Sequence, residues 1–170
     1  MTSAFVHKRR FGMTILAGVT LASIFFGSTF LSHTQADSQT LYQPKTAVMQ
    51  QFLTKTNQLR ATAGKQPLQP NSSLEASARA KLADMQTNHY WGHRSPSNIS
   101  FSAYIWQEDE NAQLVGENLA RCYDTYDEAF KALVNSPTHY SVLVGDFTDI
   151  GVASQWTDYG CESIVMHVAK

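Results

Sequence analysis

Ile150-Gly151-Val152-Ala153-Ser154-Gln155 and Ser163-Ile164-Val165-Met166-His167-Val168 decide the fold class. Both runs are short, apolar and rich in β-branched residues, so they read as strands. The polar stretch from Trp156 to Gly160 joins them closely, which predicts an antiparallel hairpin. Everything upstream has a different period. Val48, Phe52 and Leu59 predict a helix over Ala47 to Ala63, with Gly64 as its stop. Ser72 and Glu75 have capping-box spacing and predict a second helix through Leu74, Ala78, Leu82 and Met85. Asp127 to Val134 predicts a third helix, ending near Pro137. Gln66 to Asn71 and His89 to Asn98 read as loops, and Glu108-Asp109-Glu110 as a solvated turn. Ile99 to Trp106 is a short element of open type. Helices first and strands later, without regular βαβ alternation, imply an α+β or layered sandwich.

The length of 170 residues allows one compact domain. With 43% hydrophobic residues the chain has enough apolar material for a core, which excludes wholesale disorder. A formal net charge of −1 supplies no basic footprint, so nucleic acid is excluded as a partner. Two cysteines exclude a disulfide-dense miniprotein and a four-cysteine zinc module.

The amino terminus has its own logic. His7, Lys8, Arg9 and Arg10 form a basic start, and from Phe11 to Leu31 no residue is formally charged. A cationic flank before an apolar run is the pattern of an export segment. Thr34-Gln35-Ala36 is an imperfect small-residue cleavage site, and the run is long enough to span a bilayer. Residues 1–36 therefore read as a signal peptide or a signal anchor forming a hydrophobic export helix. Residues 37–46 follow as a linker and 47–170 as the folded domain. On this reading the domain is secreted or membrane-anchored outside the cytoplasm, and touches membrane only through its amino-terminal segment. Cys122 and Cys161 can then persist as a disulfide. Asn71-Ser72-Ser73 and Asn98-Ile99-Ser100 fit the glycosylation pattern.

G-x-S-x-G, H-E-x-x-H, Walker and G-x-G-x-x-G motifs are all missing from the sequence. Three polar clusters remain: His89 to Pro96, Gly116-Glu117-Asn118-Leu119-Ala120, and Asn135-Ser136-Pro137-Thr138-His139. Taken singly, each titratable residue has a bland reading. His93 can cap a loop, Glu117 can tie down backbone amides, and His139 can sit at a helix end. His167 reads as an ordinary sheet residue outside any site. Tyr90, Trp91, Tyr104 and Trp106 suit core packing or an exposed binding platform.

The order and wording of the clusters say more. Asn57, Arg60 and Leu68 match an opening "N-x-x-R … L". Ala80, Ala83 and Met85 are similar to an alanine-rich helix ending in "A-x-x-M", with the Met one place early. Trp91-Gly92-His93-Arg94-Ser95-Pro96 matches "F/W-x-H-x-S-P", and Gly116 to Ala120 matches "G-E-N-I/L-A". Ser136 to His139 and Phe147-Thr148-Asp149-Ile150-Gly151-Val152 match "S-P-G-H" and "F-T-E-I-G-V". From Val48 onward the chain thereby resembles the CAP superfamily (SCP-like; cysteine-rich secretory, antigen 5 and pathogenesis-related proteins), in its short bacterial branch. Three features depart from the wider pattern. Leu133 stands where a Trp is common, and neither a second Glu nor a G-H-Y/F strand is present.

The resemblance implies a three-layer α-β-α sandwich with a cleft holding His93, Glu117 and His139. Two imidazoles and a carboxylate would suit Zn²⁺, with His93 and His139 as metal ligands, or general acid–base work. Zinc is the one cofactor these residues suggest. The resemblance fixes no reaction. It is compatible with an extracellular binding module for a lipid, a cell-envelope polymer or a protein. The alternative is a metal-assisted hydrolase acting on an envelope polymer or peptide.

Overall fold

The computed structural model describes residues 3–8 and 46–170. Strand β1 covers Ser3–Lys8, α1 Thr46–Thr62, β2 Gln69–Pro70, α2 Ser72–Thr87, α3 Phe101–Glu108 and β3 Leu114–Arg121. Then come α4 Tyr126–Val134, α5 Pro137–Leu143, β4 Asp149–Thr157 and β5 Cys161–Ala169. The expected apolar export helix and most of the linker lie outside the described residues. No helix of the described residues is long and apolar enough to cross a membrane.

The five strands form one sheet in the order β1-β3-β5-β4-β2. The expected hairpin is its centre: β4 and β5 pair antiparallel from Asp149↔Ala169 to Thr157↔Cys161. Strand parity sorts the residues between two cores. Ile150, Val152, Ile164, Met166, Val168 and Ala120 face α1, α4 and α5, where Phe52, Phe130, Leu133 and Leu143 complete the larger cluster. Val115 and Ala169 on the other face meet Leu74, Phe101 and Ile105. Leu119, Ala153 and Val165 meet Ala78, Leu82 and Met85 there. The fold is an α+β, three-layer α-β-α sandwich, as expected.

Several details differ from the sequence reading, each for a local reason. The amino-terminal cap of α2 is Asn71, one residue before Ser72. Its side chain accepts from the Ser73 and Leu74 amides. Glu75 instead pairs with Arg79 one turn along. Pro137 does not simply follow the third helix; it occupies the first turn of α5, where its fixed φ suits a helix start. The open element at Ile99 to Trp106 is helical from Phe101, and Gln69–Pro70 adds a short parallel strand beside β4.

The first matched motif is structural. Asn57 Nδ2 donates to the Leu68 carbonyl (3.0 Å) and Asn57 Oδ1 accepts from the Leu68 amide (2.8 Å), so one side chain mimics a strand partner. Arg60 is buried and donates to the carbonyls of Gln66, Leu143, Gly145 and Phe147 at 2.7 to 3.0 Å. This guanidinium fork fastens α1 to the turn between α5 and β4. Lysine cannot reproduce the fork. Arg60→Lys is expected to lower unfolding free energy by about 2 kcal/mol. A drop in urea midpoint with unchanged slope would register it.

Cys122 and Cys161 form a disulfide across 39 residues. It lies just past the end of the β3–β5 ladder at Arg121↔Ser163, where the Cys122 amide donates to the Glu162 carbonyl at 3.0 Å. Closing such a loop constrains the unfolded chain by at most about 4 kcal/mol. Reduction is therefore expected to lower the melting temperature by several degrees, and calorimetry with and without reductant measures the shift.

Candidate functional site

Glu117 lies at the middle of β3 with no exposed surface, on the face covered by α2 and α3. A buried carboxylate must find donors. Oε1 lies 2.6 Å from His93 Nδ1, and Oε2 lies 3.0 Å from His167 Nε2. The loop that carries His93 is held against α3 by the Phe101 amide, which donates to the His93 carbonyl (2.8 Å). In the same loop Ser95 Oγ accepts from the Ile99 amide (3.0 Å). His167 arrives from β5, where it is the register partner of Glu117.

The chain of contacts continues inward. His167 Nδ1 lies 2.7 Å from Ser77 Oγ, which also donates to the Leu74 carbonyl at 2.8 Å. With Ser77 donating to Leu74, both ring nitrogens of His167 donate, to Ser77 and to Glu117. Every group from Leu74 to His93 Nδ1 is then satisfied. Burial pushes the Glu117 carboxyl up. The hydrogen bonds from His167 and His93, and the charge those rings carry when protonated, outweigh it and hold the group below its usual range.

Beside this network a second polar group closes the layer. Lys81 of α2 is fully buried. Its ammonium donates to Tyr90 Oη (2.8 Å) and lies over the rings of Tyr90 and Tyr104 at 4.6 and 5.4 Å. Tyr90 donates to Asp84, which also bonds Tyr104. Desolvation draws Lys81 below its ordinary value, while Glu117 and Asp84 oppose that shift. Burial and the Asp84 bond push the Tyr104 phenol up to about 12. Of the four aromatics singled out in the sequence, Tyr90, Trp91 and Trp106 pack against the smaller cores. Trp91 also stacks on the Arg121 guanidinium at 4.9 Å.

The structure joins His93 to Glu117, adds His167, and places His139 elsewhere. Consecutive strand residues face opposite sides of a sheet. Asn118, next to Glu117, donates its Nδ2 to the His139 carbonyl of α5 at 3.2 Å. His139 Nδ1 lies 2.6 Å from Ser136 Oγ. His93 and His139 thus flank β3 from different layers. His167, expected outside the site, is instead one of its buried members. The signal for it was present: an imidazole in a strand buried on both faces requires a polar partner.

Zinc needs three convergent protein ligands. Both oxygens of Glu117 already accept from imidazoles, and the two proposed histidine ligands occupy opposite layers. Among the described residues no group of three His, Cys, Asp or Glu side chains could hold a metal ion. These residues do not fit the cation.

What the geometry leaves available is His93 Nε2. It is buried and makes no hydrogen bond with the described residues. His93 lines a cavity of about 230 Å³ together with Phe5, His7, Gly92, Arg94 and Ser100. With Nδ1 donating to Glu117, Nε2 is the acceptor of a neutral ring or a second donor of a charged one.

Comparison with known proteins agrees with this fold and motif order. Over 108 residues the chain is 37% identical to the uncharacterized protein YkwD of Bacillus subtilis (strain 168). That match covers 60% of this chain and 42% of YkwD, so it spans less than half of that relative. An outer surface protein from Borrelia burgdorferi superimposes with a TM-score of 0.68 at 21% identity, over 74% of this chain and 94% of its own. An extracellular protein containing an SCP domain from Bacillus anthracis str. Ames gives 0.64 at 24% identity, over 74% of this chain and 41% of its own. The description "CAP: Cysteine-rich secretory protein family" matches residues 53–167, which include His93, Glu117, His139 and His167. The chain belongs to the CAP family of cysteine-rich secretory proteins.

Proposed function

We propose that this protein is an exported binding module whose ligand is met beside β3, with His93 as the contacting imidazole. The observation that carries the reading is the Glu117–His93 pair. A buried carboxylate fixes one ring nitrogen and leaves the other without a partner among the described residues, on a side chain that lines a small cavity. That arrangement makes a directional hydrogen-bonding post. A hydrolase would need a nucleophile or an activated water beside the same nitrogen. The hydroxyl of the network, Ser77, is buried in α2 and committed to His167 and Leu74. Support for export comes from the basic start and apolar run, and from the Cys122–Cys161 disulfide. The ligand belongs to the lipids, envelope polymers or proteins of an extracytoplasmic surface.

The test uses purified chain, isolated envelope fragments of the source cells, and His93→Ala as control. Sedimentation is expected to show saturable binding that His93→Ala weakens about ten-fold or more, the worth of a buried charge-assisted hydrogen bond. Peptide and ester substrates are expected to show no turnover above the control. Turnover that His93→Ala abolishes would replace this reading with the hydrolase one.

A further inference from the structure

Strand β1 sits on the site. It pairs antiparallel with β3 from Ser3↔Leu119 to Lys8↔Leu114, which places Phe5 opposite Glu117. Alternation along the strand sends its side chains to two different surfaces. Phe5 and His7 turn toward the α3 side. The Phe5 ring lies 5.9 Å from His93 and 6.2 Å from Phe101, and the His7 ring lies 5.4 Å from Phe101. Val6 turns the other way, where Phe5, Val6, Thr138, Ser141 and Val142 line a second cavity of about 210 Å³. Yet β1 is partly open to solvent: Phe5 is 49% and Val6 45% exposed, and His7 Nδ1 is buried without a hydrogen-bond partner among the described residues. Without β1, the sheet order makes β3 its terminal strand.

A strand edge whose paired strand sends alternate side chains to contacts on two faces is the physical layout of peptide recognition by strand addition. We infer that the groove between α3 and α5 along β3 binds an extended peptide segment as an added antiparallel strand, and that β1 is an internal occupant of that groove. The peptide places an aromatic side chain opposite Glu117, against His93 and Phe101, and a small aliphatic one toward Val142. Ladder hydrogen bonds supply sequence-independent affinity, and the ring contacts with His93 and Phe101 supply selection. The inference deepens the proposed binding reading by naming the ligand class, and it rests on that reading.

The test is displacement in the full chain. Phe5→Asp with His7→Asp puts two carboxylates where β1 meets the pocket, and Phe5→Asp alone is the milder version. A blocked, fluorescein-labelled peptide of the β1 sequence Ser-Ala-Phe-Val-His-Lys is the probe. By anisotropy the opened chains are expected to bind it. The unaltered chain should bind about ten-fold more weakly or worse, because its own strand competes at high effective concentration. A peptide with Asp in place of Phe should not bind, and Phe101→Ala in the opened chain should weaken binding. Hydrogen exchange should show β3 amides gaining protection on peptide addition. No binding to either opened chain, or equal binding to opened and unaltered chains, overturns the inference. So does equal binding of the Asp peptide. Envelope binding that persists in the absence of peptide binding defeats this inference alone. Peptide binding without His93-dependent envelope binding defeats the broader reading alone.

Discussion

Glu117→Ala is expected to remove about 4 kcal/mol of stability, because it strands a buried imidazole pair with no acceptor. His93 Nδ1 and His167 Nε2 both lose their partner, and His167 has no exposed surface from which to reach water. Glu117→Gln keeps the volume but not the chemistry. Its amide offers an oxygen to one ring and an NH₂ to the other, so one imidazole must turn a bare nitrogen toward it. If His167 does, its Nε2 accepts from the amide while its Nδ1 keeps donating to Ser77, and Ser77 keeps its bond to Leu74. The Gln variant should therefore lose less than the Ala variant. The pH dependence follows from the depressed carboxyl. A group whose folded pKa lies below its unfolded value of about 4.3 stabilises fully above that value. The contribution is lost as pH falls through the lower folded value. Urea titrations should show the gap between Glu117→Gln and the unaltered chain at full size near neutrality. The gap should shrink on acidification below about pH 4. A gap constant down to about pH 2 would mean that folding does not depress the carboxyl.

The second large effect is expected at Gly151. A Cβ there would lie 2.2 Å from the Glu75 nitrogen and the Leu74 carbonyl carbon, and 2.6 Å from Leu74 Cβ. The obstacle is helix backbone, so no rotamer relieves it and α2 must lift from the sheet. Gly151→Ala should cost about 3 kcal/mol or more and lower the melting temperature by about 10 °C. Gly160→Ala is the control. It has a φ of +74° and nothing within 4 Å, so only the left-handed backbone opposes the side chain. The cost there is about 1 kcal/mol. Similar losses at both positions would mean that the helix–sheet approach near Gly151 is looser than described.

The legible parts of this fold carried a period. The β4–β5 hairpin showed as two apolar runs, and the buried stripe of α2 showed as Leu74, Ala78, Leu82 and Met85. Residues of α5 were hidden because Pro137 reads equally as an end or a beginning. Only the packing of Val142 and Leu143 decides. The capping box was displaced by one residue because Asn71 and Ser72 are both competent caps, and nothing in the sequence ranks them. For the site, the motif resemblance supplied His93 and Glu117, which do touch. It could not supply parity: Glu117 and Asn118 face opposite layers, so His139 joins the layer that Asn118 faces. His167 was missed because β5 is buried on both faces, which erases the alternation that marks an inward residue. Its partnership with Glu117 is a matter of register, which a single strand does not encode.

Strand β1 also bears on geography. Residues 3–8 and β3 are neighbours in one sheet, so while they are paired both lie on one side of any membrane. An export segment works in the opposite sense, retaining its basic flank while the following chain crosses. On the proposed export reading, completing the five-stranded sheet and crossing a bilayer are competing fates for the same newly made molecule. A chain that zips β1 onto β3 early is tethered to the compartment of its synthesis. One that crosses first arrives with β3 as a raw border, its backbone donors and acceptors open along one side.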